Sequence, residues 1–186
     1  MIYLLGTQHS IQTEQKAPGQ HLSDKLGRFR TFVKSAAQSK RVYGIAEESN
    51  DEIENIRGNS IARLVAESGQ PPLIYIPCEP NTQERRALGI ADDPVIHAPH
   101  DLSGQELEVY RDAELLRYFP AREKFWIERL HQFPLASVLF ILGANHVRTF
   151  ACRLVENGIP WHIVSFDWVA SDDREHGQLP LDQQSI

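Results

Sequence analysis

The chain of 186 residues contains only two cysteines, Cys78 and Cys152, far apart and in no C-x-x-C pair. That excludes a disulfide framework and favours a reducing compartment. Long apolar runs are missing as well. The N-terminal apolar stretch, residues 2–5, is too short for a signal peptide, and no other run approaches the length of a membrane span. The expectation is a cytoplasmic protein without membrane contact. Basic charge is scarce: 19 Lys and Arg stand against 25 Asp and Glu, a formal net charge of −6. Extended nucleic-acid binding needs a basic face, and the short basic stretch 34–41 reads instead as a helix end, where cations favour the dipole. No P-loop and no G-x-G-x-x-G is present, so nucleotide readings lack a motif. Ser10 follows His9, but no G-x-S-x-G elbow exists to support a serine hydrolase.

What is there has an ordinary globular composition, 41% hydrophobic and 24% charged. The length suits one domain, expected over residues 1–171 with a helical and loop insert near 91–132 and a polar tail over 172–186. Short apolar runs at 2–5, 42–46, 73–76, 137–142 and 161–166 read as strands. Helical spacing predicts helices near 23–38, 50–67, 81–88, 103–118 and 122–131, and another over about 147–155. Ser49 with Glu52 and Ser103 with Glu106 have the form of capping boxes, while Gly58 and Pro120 argue against an uninterrupted helix around them. Strands that alternate with helices and are apolar on both faces predict an α/β fold. Its sheet is mostly parallel, has about five strands and is covered on both faces. In such sheets ligands bind beyond the carboxyl ends of the strands.

Two strand ends repeat one pattern, four apolar residues followed by G-x-x-H: Gly6-Thr7-Gln8-His9 and Gly143-Ala144-Asn145-His146. Glycine at a strand end permits a sharp turn or a close approach, and the histidine then falls at the crevice. Neighbouring strands of this kind bring two imidazoles together, and imidazole is both a common metal ligand and a base near neutral pH. Glu47 and Glu48 close the second strand, Glu79 the third and Asp167 the last. His9, His146 and Glu48 form an N/O ligand set suited to a divalent ion such as Mn, Co, Zn or Fe. Glu47 or Glu48 off the metal is a candidate general base, and Arg122 and Asn145 are candidate stabilisers of developing negative charge.

These residues resemble the paired G-x-x-H motifs of the Tiki/TraB/GumN superfamily, a group distantly related to the erythromycin-esterase and haem-uptake lipoprotein folds. Glu47-Glu48 is similar to its glutamate motif and Arg122 to its arginine. The resemblance runs through about four short motifs and implies an α/β fold and, for the Tiki branch, a metal-dependent peptidase. The leading expectation is therefore a metal-dependent hydrolase of amide or ester bonds acting on a small-molecule or peptide substrate, with a homodimer admitted. One rival is a metal-free esterase-like enzyme in which a histidine is the base and Glu47 or Glu48 orients it. The other is a non-catalytic module that binds a small ligand.

Other candidates read as structural. Glu123 is expected to be solvated, His162 to sit in the core, Cys78 to be a small buried hydrophobe and Arg85-Arg86 to lie on a solvated helix face. His97 and His100 flank Pro99, which forbids the helix that would put both rings on one face, so a polar lid loop is expected there.

Overall fold

A computed structural model describes residues 1–14, 20–91, 99, 102–133 and 137–169. His97, His100 and the tail over 172–186 lie outside the described residues. Five strands form one all-parallel sheet: β1 (Ile2–Thr7), β2 (Gly44–Glu47), β3 (Ile74–Pro77), β4 (Val138–Gly143) and β5 (Trp161–Trp168), in the order β3-β2-β4-β1-β5. The helices are α1 (Gln20–Ser39), α2 (Asp51–Arg57), α3 (Ile61–Ser68), α4 (Thr82–Ala87), α5 (Gly104–His131) and α6 (Val147–Glu156). This is the expected α/β architecture, with apolar residues on both sides of the central strands.

Alternation along the strands divides the core in two. Leu5, Ile45, Leu139 and Ile141 pack under α1 and α3, against Phe29, Val33, Ile61 and Val65. Leu4, Ala46, Phe140 and Leu142 pack under α5 and α6, against Trp126, Leu130, Phe150 and Leu154. The chain leaving β1 therefore crosses one face, and the chain leaving β4 crosses the other. Between two adjacent parallel strands whose connections part in this way, a crevice opens at the carboxyl ends. Those two strands carry the G-x-x-H motifs.

Two helix boundaries differ from the sequence expectation. The single helix near 50–67 is two helices. Asn50, not Ser49, caps the first, accepting from the Ile53 N–H at 2.9 Å. Gly58 ends it at φ 106°, and Ser60 caps the second by accepting from the Arg63 N–H at 3.1 Å. The break lets the segment after β1 dock: the Glu14 N–H bonds to Asn59 O at 2.8 Å and the Ile61 N–H to Gln12 O at 2.8 Å. The two helices expected around Pro120 are instead one, α5, 28 residues long. Pro120 is exposed, so its missing N–H and its ring fall on the solvent side. Phe119, Trp126, Ile127 and Leu130 meanwhile hold the helix to the protein.

At Gly58 a Cβ would fall 2.2 Å from Glu14 O on a backbone that L side chains rarely adopt. Gly58→Ala is expected to cost roughly 1–3 kcal/mol in urea unfolding. Gly27→Ala, on the open face of α1 where an added Cβ meets nothing, should stabilise by about 0.5–1 kcal/mol. Equal effects of the two substitutions would contradict the docked geometry of the β1 segment.

Candidate functional site at the carboxyl ends of β1 and β4

The register of β1 on β4 pairs Thr7 with Gly143 and Gly6 with Leu142, so the two motifs lie side by side but one residue out of step. Each is followed by a short 3₁₀ turn, His9–Ile11 after β1 and Ala144–His146 after β4. Gly143 turns at an ordinary negative φ of −58°. Its role is space: a Cβ there would lie 2.8 Å from His9 Nε2 and 3.3 Å from Glu48 Oε2. The glycine of one motif thus admits the histidine of the other.

Glu48 lies between the two rings. Its Oε1 is 3.7 Å from His9 Nε2 and 3.6 Å from His146 Nε2, and its Oε2 accepts from the Gly143 N–H at 2.7 Å. Arg122, on α5, ties this carboxylate to Glu79. Its Nη2 donates to Glu48 Oε1 and, at 2.8 Å, to Glu79 Oε2; its Nε lies 3.1 and 3.2 Å from the two Glu79 oxygens. Arg85 adds a further contact to Glu79 at 3.3 Å. Burial by itself would push the Glu48 carboxyl up. The Arg122 guanidinium, aided by the Gly143 N–H, outweighs it and holds Glu48 below the usual carboxylate range.

The two histidines differ. His146 is 2% exposed. Its Nδ1 lies 3.0 Å from Glu123 Oε1 and its Nε2 3.2 Å from Arg122 Nη1. Since guanidinium can only donate, His146 Nε2 accepts and Nδ1–H donates to Glu123, which fixes one neutral tautomer. Phe119 lies against the ring with centroids 3.6 Å apart, and Trp126 meets it edge-on at 4.8 Å. His9, by contrast, has a half-exposed side chain at the cavity. Its Nδ1 lies 3.2 Å from Gln12 Oε1, a carbonyl that accepts Nδ1–H and leaves Nε2 with a lone pair toward Glu48 and the cavity.

Above this floor opens a cavity of about 880 Å³, lined by both motifs, Glu48, Glu79, Arg122 and residues of α2 and α5, a size suited to a small-molecule ligand. Asn145 is exposed and lines it beside His146, and Asp167 lines it from the end of β5.

The structure thus brings His9, Glu48, Glu79, Arg122, Asn145 and His146 together. Glu47 faces away. Wholly buried under α3, it accepts from the Ser60 hydroxyl and lies 3.0 Å from Tyr75 Oη. Tyr75 Oη is also 3.0 Å from Glu54 Oε1, and one phenolic proton cannot serve both carboxyls. The Tyr75 hydroxyl therefore stands between two carboxyls, and Arg63 balances Glu54 at 2.9 Å. Burial pushes the Glu47 carboxyl up to about 8, against the lowering effect of its Ser60 and Tyr75 hydrogen bonds. Two other expectations are corrected. Glu123 is 1% exposed and orients His146 rather than being solvated, because α5 continues through Pro120 and turns that face inward. His162 is exposed because β5 is an edge strand. Its spacing one residue after Arg122 gave Glu123 no sequence signal; only the unbroken helix does.

A divalent ion held by His9, His146 and Glu48 does not fit this arrangement. The lone pair of His146 Nε2 and the Oε1 of Glu48 are both engaged by the Arg122 guanidinium. Among the described residues no cluster of three His, Cys, Asp or Glu side chains has ligand geometry. Arg122 is equally engaged by protein carboxylates rather than open to a substrate anion.

The chain matches no protein-family model, no curated protein and no solved structure.

Two outcomes follow. The folded state holds the Glu47 proton more tightly than the unfolded chain, so its contribution to stability is greatest at low pH. That contribution falls as pH rises from 4.5 to about 8, at up to about 1.4 kcal/mol per pH unit. Glu47→Gln should remove that slope and raise stability at pH 8 by roughly 2–4 kcal/mol, read from urea midpoints at pH 5 and pH 8; a parallel pH dependence in both proteins would refute it. Arg122→Ala leaves two buried carboxylates facing each other and should destabilise by about 3–5 kcal/mol. Arg122→Lys should recover only part of this, because an ammonium cannot bridge three partners in one plane. Full recovery would contradict the bridging role.

Proposed function

We propose that the protein is a metal-independent hydrolase of carboxylic ester or amide bonds, with His9 as general base. The observation that carries this reading is the contrast between the two motif histidines: His146 is locked by Glu123 and Arg122, whereas His9 keeps Nε2 free at the cavity, 3.7 Å from the ionised Glu48. The resemblance of the paired G-x-x-H motifs to the Tiki/TraB/GumN superfamily and its esterase relatives supports acyl chemistry over phosphoryl chemistry.

In this reading His9 Nε2 takes a proton from a water molecule as its oxygen attacks the substrate carbonyl carbon. Glu48 stabilises the imidazolium so formed, and it is ready to do so because Arg122 and the Gly143 N–H keep it charged. Asn145 donates to the carbonyl oxygen as negative charge develops there. Collapse of the tetrahedral species breaks the bond to the leaving oxygen or nitrogen, which receives the proton from His9. Water is consumed, and a carboxylic acid and an alcohol or amine are released. Arg122 and His146 are positioning residues, and Glu79 holds Arg122.

The test is hydrolysis of a panel of chromogenic esters and amides with and without EDTA. Activity should survive chelation, and His9→Ala should lower kcat by roughly 10²–10⁴-fold while leaving the melting temperature near that of the parent. Loss of activity on chelation that a divalent metal restores would overturn the metal-free reading. Full activity in His9→Ala would overturn the assignment of the base.

A further inference from the structure

The cavity has a chemical bias that the reacting floor does not explain. Asp112, Leu115, Leu116 and Phe119 all line it from α5, at spacings that put them on one helix face. Ile53 and Arg57 line it from α2, one helical turn apart. None of residues 104–118 of α5 is buried, and Leu115 and Leu116 are 40% and 58% exposed. This half of a 28-residue helix is thus held out beside the cavity with its apolar side chains uncovered by the core.

Charge on the floor is already matched. Glu48 and Glu79 are paired with Arg122, and Glu79 also with Arg85. At the rim Arg57 and Asp112 have no ion-pair partner among the described residues, and they carry opposite signs. Partial burial raises the Asp167 carboxyl above its usual range, and Lys25 opposes that rise. A charged substrate would gain from one rim group what it loses to the other, and would find no unmatched charge below. An apolar chain, in contrast, would cover the two leucines at no electrostatic cost.

Resting on the hydrolase reading, we propose that the substrate is a neutral ester or amide with an apolar chain that lies along Leu115, Leu116 and Phe119 opposite Ile53. The site then selects for chain length and against charge.

The deciding measurement is binding of unreactive ketones by calorimetry, with 2-butanone, 2-decanone and the charged decanoate as probes. A buried methylene is worth about fourfold in affinity. With a wall that is partly open, 2-decanone is expected to bind at least about tenfold more tightly than 2-butanone, and more tightly than decanoate. Leu116→Asp should remove most of that gain. Leu115→Asn serves as a second variant, and circular dichroism checks the fold of both. Equal affinity for the two ketones, tighter binding of decanoate, or unchanged affinity in both variants would overturn the proposal. Turnover is scored separately: a chain that binds 2-decanone as expected yet hydrolyses no ester or amide sinks the hydrolase reading and leaves the ligand class standing.

Discussion

The guanidinium of Arg122 is the centre on which the site depends. Among the described residues it is the one group that touches Glu48, Glu79 and His146 together. Burying two carboxylates beside each other is unfavourable, because each loses hydration and repels the other. The planar cation between them reverses that by meeting both with charge-assisted hydrogen bonds, a geometry for which arginine is suited and lysine is not. Cation–π contact with Trp126, at 5.4 Å, ties the same group to the apolar core under α5. The crevice left by β1 and β4 would otherwise be an acidic hole.

A division of labour between the two motifs follows. One histidine is enclosed by aromatic rings and fixed in one tautomer by a buried glutamate. The other stands at the cavity with a fixed hydrogen-bond partner at Nδ1 and a carboxylate near Nε2. Sequence repetition suggests equivalence, but the one-residue offset between β1 and β4 and the different elements packed over each strand make them unlike. Glu47 and Glu48 part in the same way. Successive side chains at a strand end point to opposite faces, so one enters the crevice and the other enters the packing under α3.

Much of this was legible in the chain. Apolar runs closed by Gly6, Glu47, Cys78 and Gly143 marked the strands, because a parallel strand buried on both faces has to be apolar throughout. The gathering of His9, Glu48 and His146 followed from the rule that polar residues at carboxyl ends of such strands share a crevice. Pro120 misled, since the hydrogen bond it removes and the carbonyl it crowds lie on the solvent side, where a long helix anchored elsewhere tolerates the cost. Gly58 raised the right doubt without revealing the reason, which is the approach of Glu14 from a distant segment. Glu123 was unreadable: a charged residue next to an arginine on a helix has no pattern that separates a solvated face from a buried one.

The sequence by itself determined the α/β class, the strand segments and the small set of polar residues bound for the strand ends, because periodicity and strand-end chemistry are local properties. Tertiary structure alone decided the strand order β3-β2-β4-β1-β5, which of two like histidines is open, and that Arg122 stands between the carboxylates of Glu48 and Glu79. Those outcomes depend on contacts between residues as far apart as Glu48 and Arg122, or Glu123 and His146. No local rule encodes such contacts, since they exist only once the sheet has fixed which strand lies beside which.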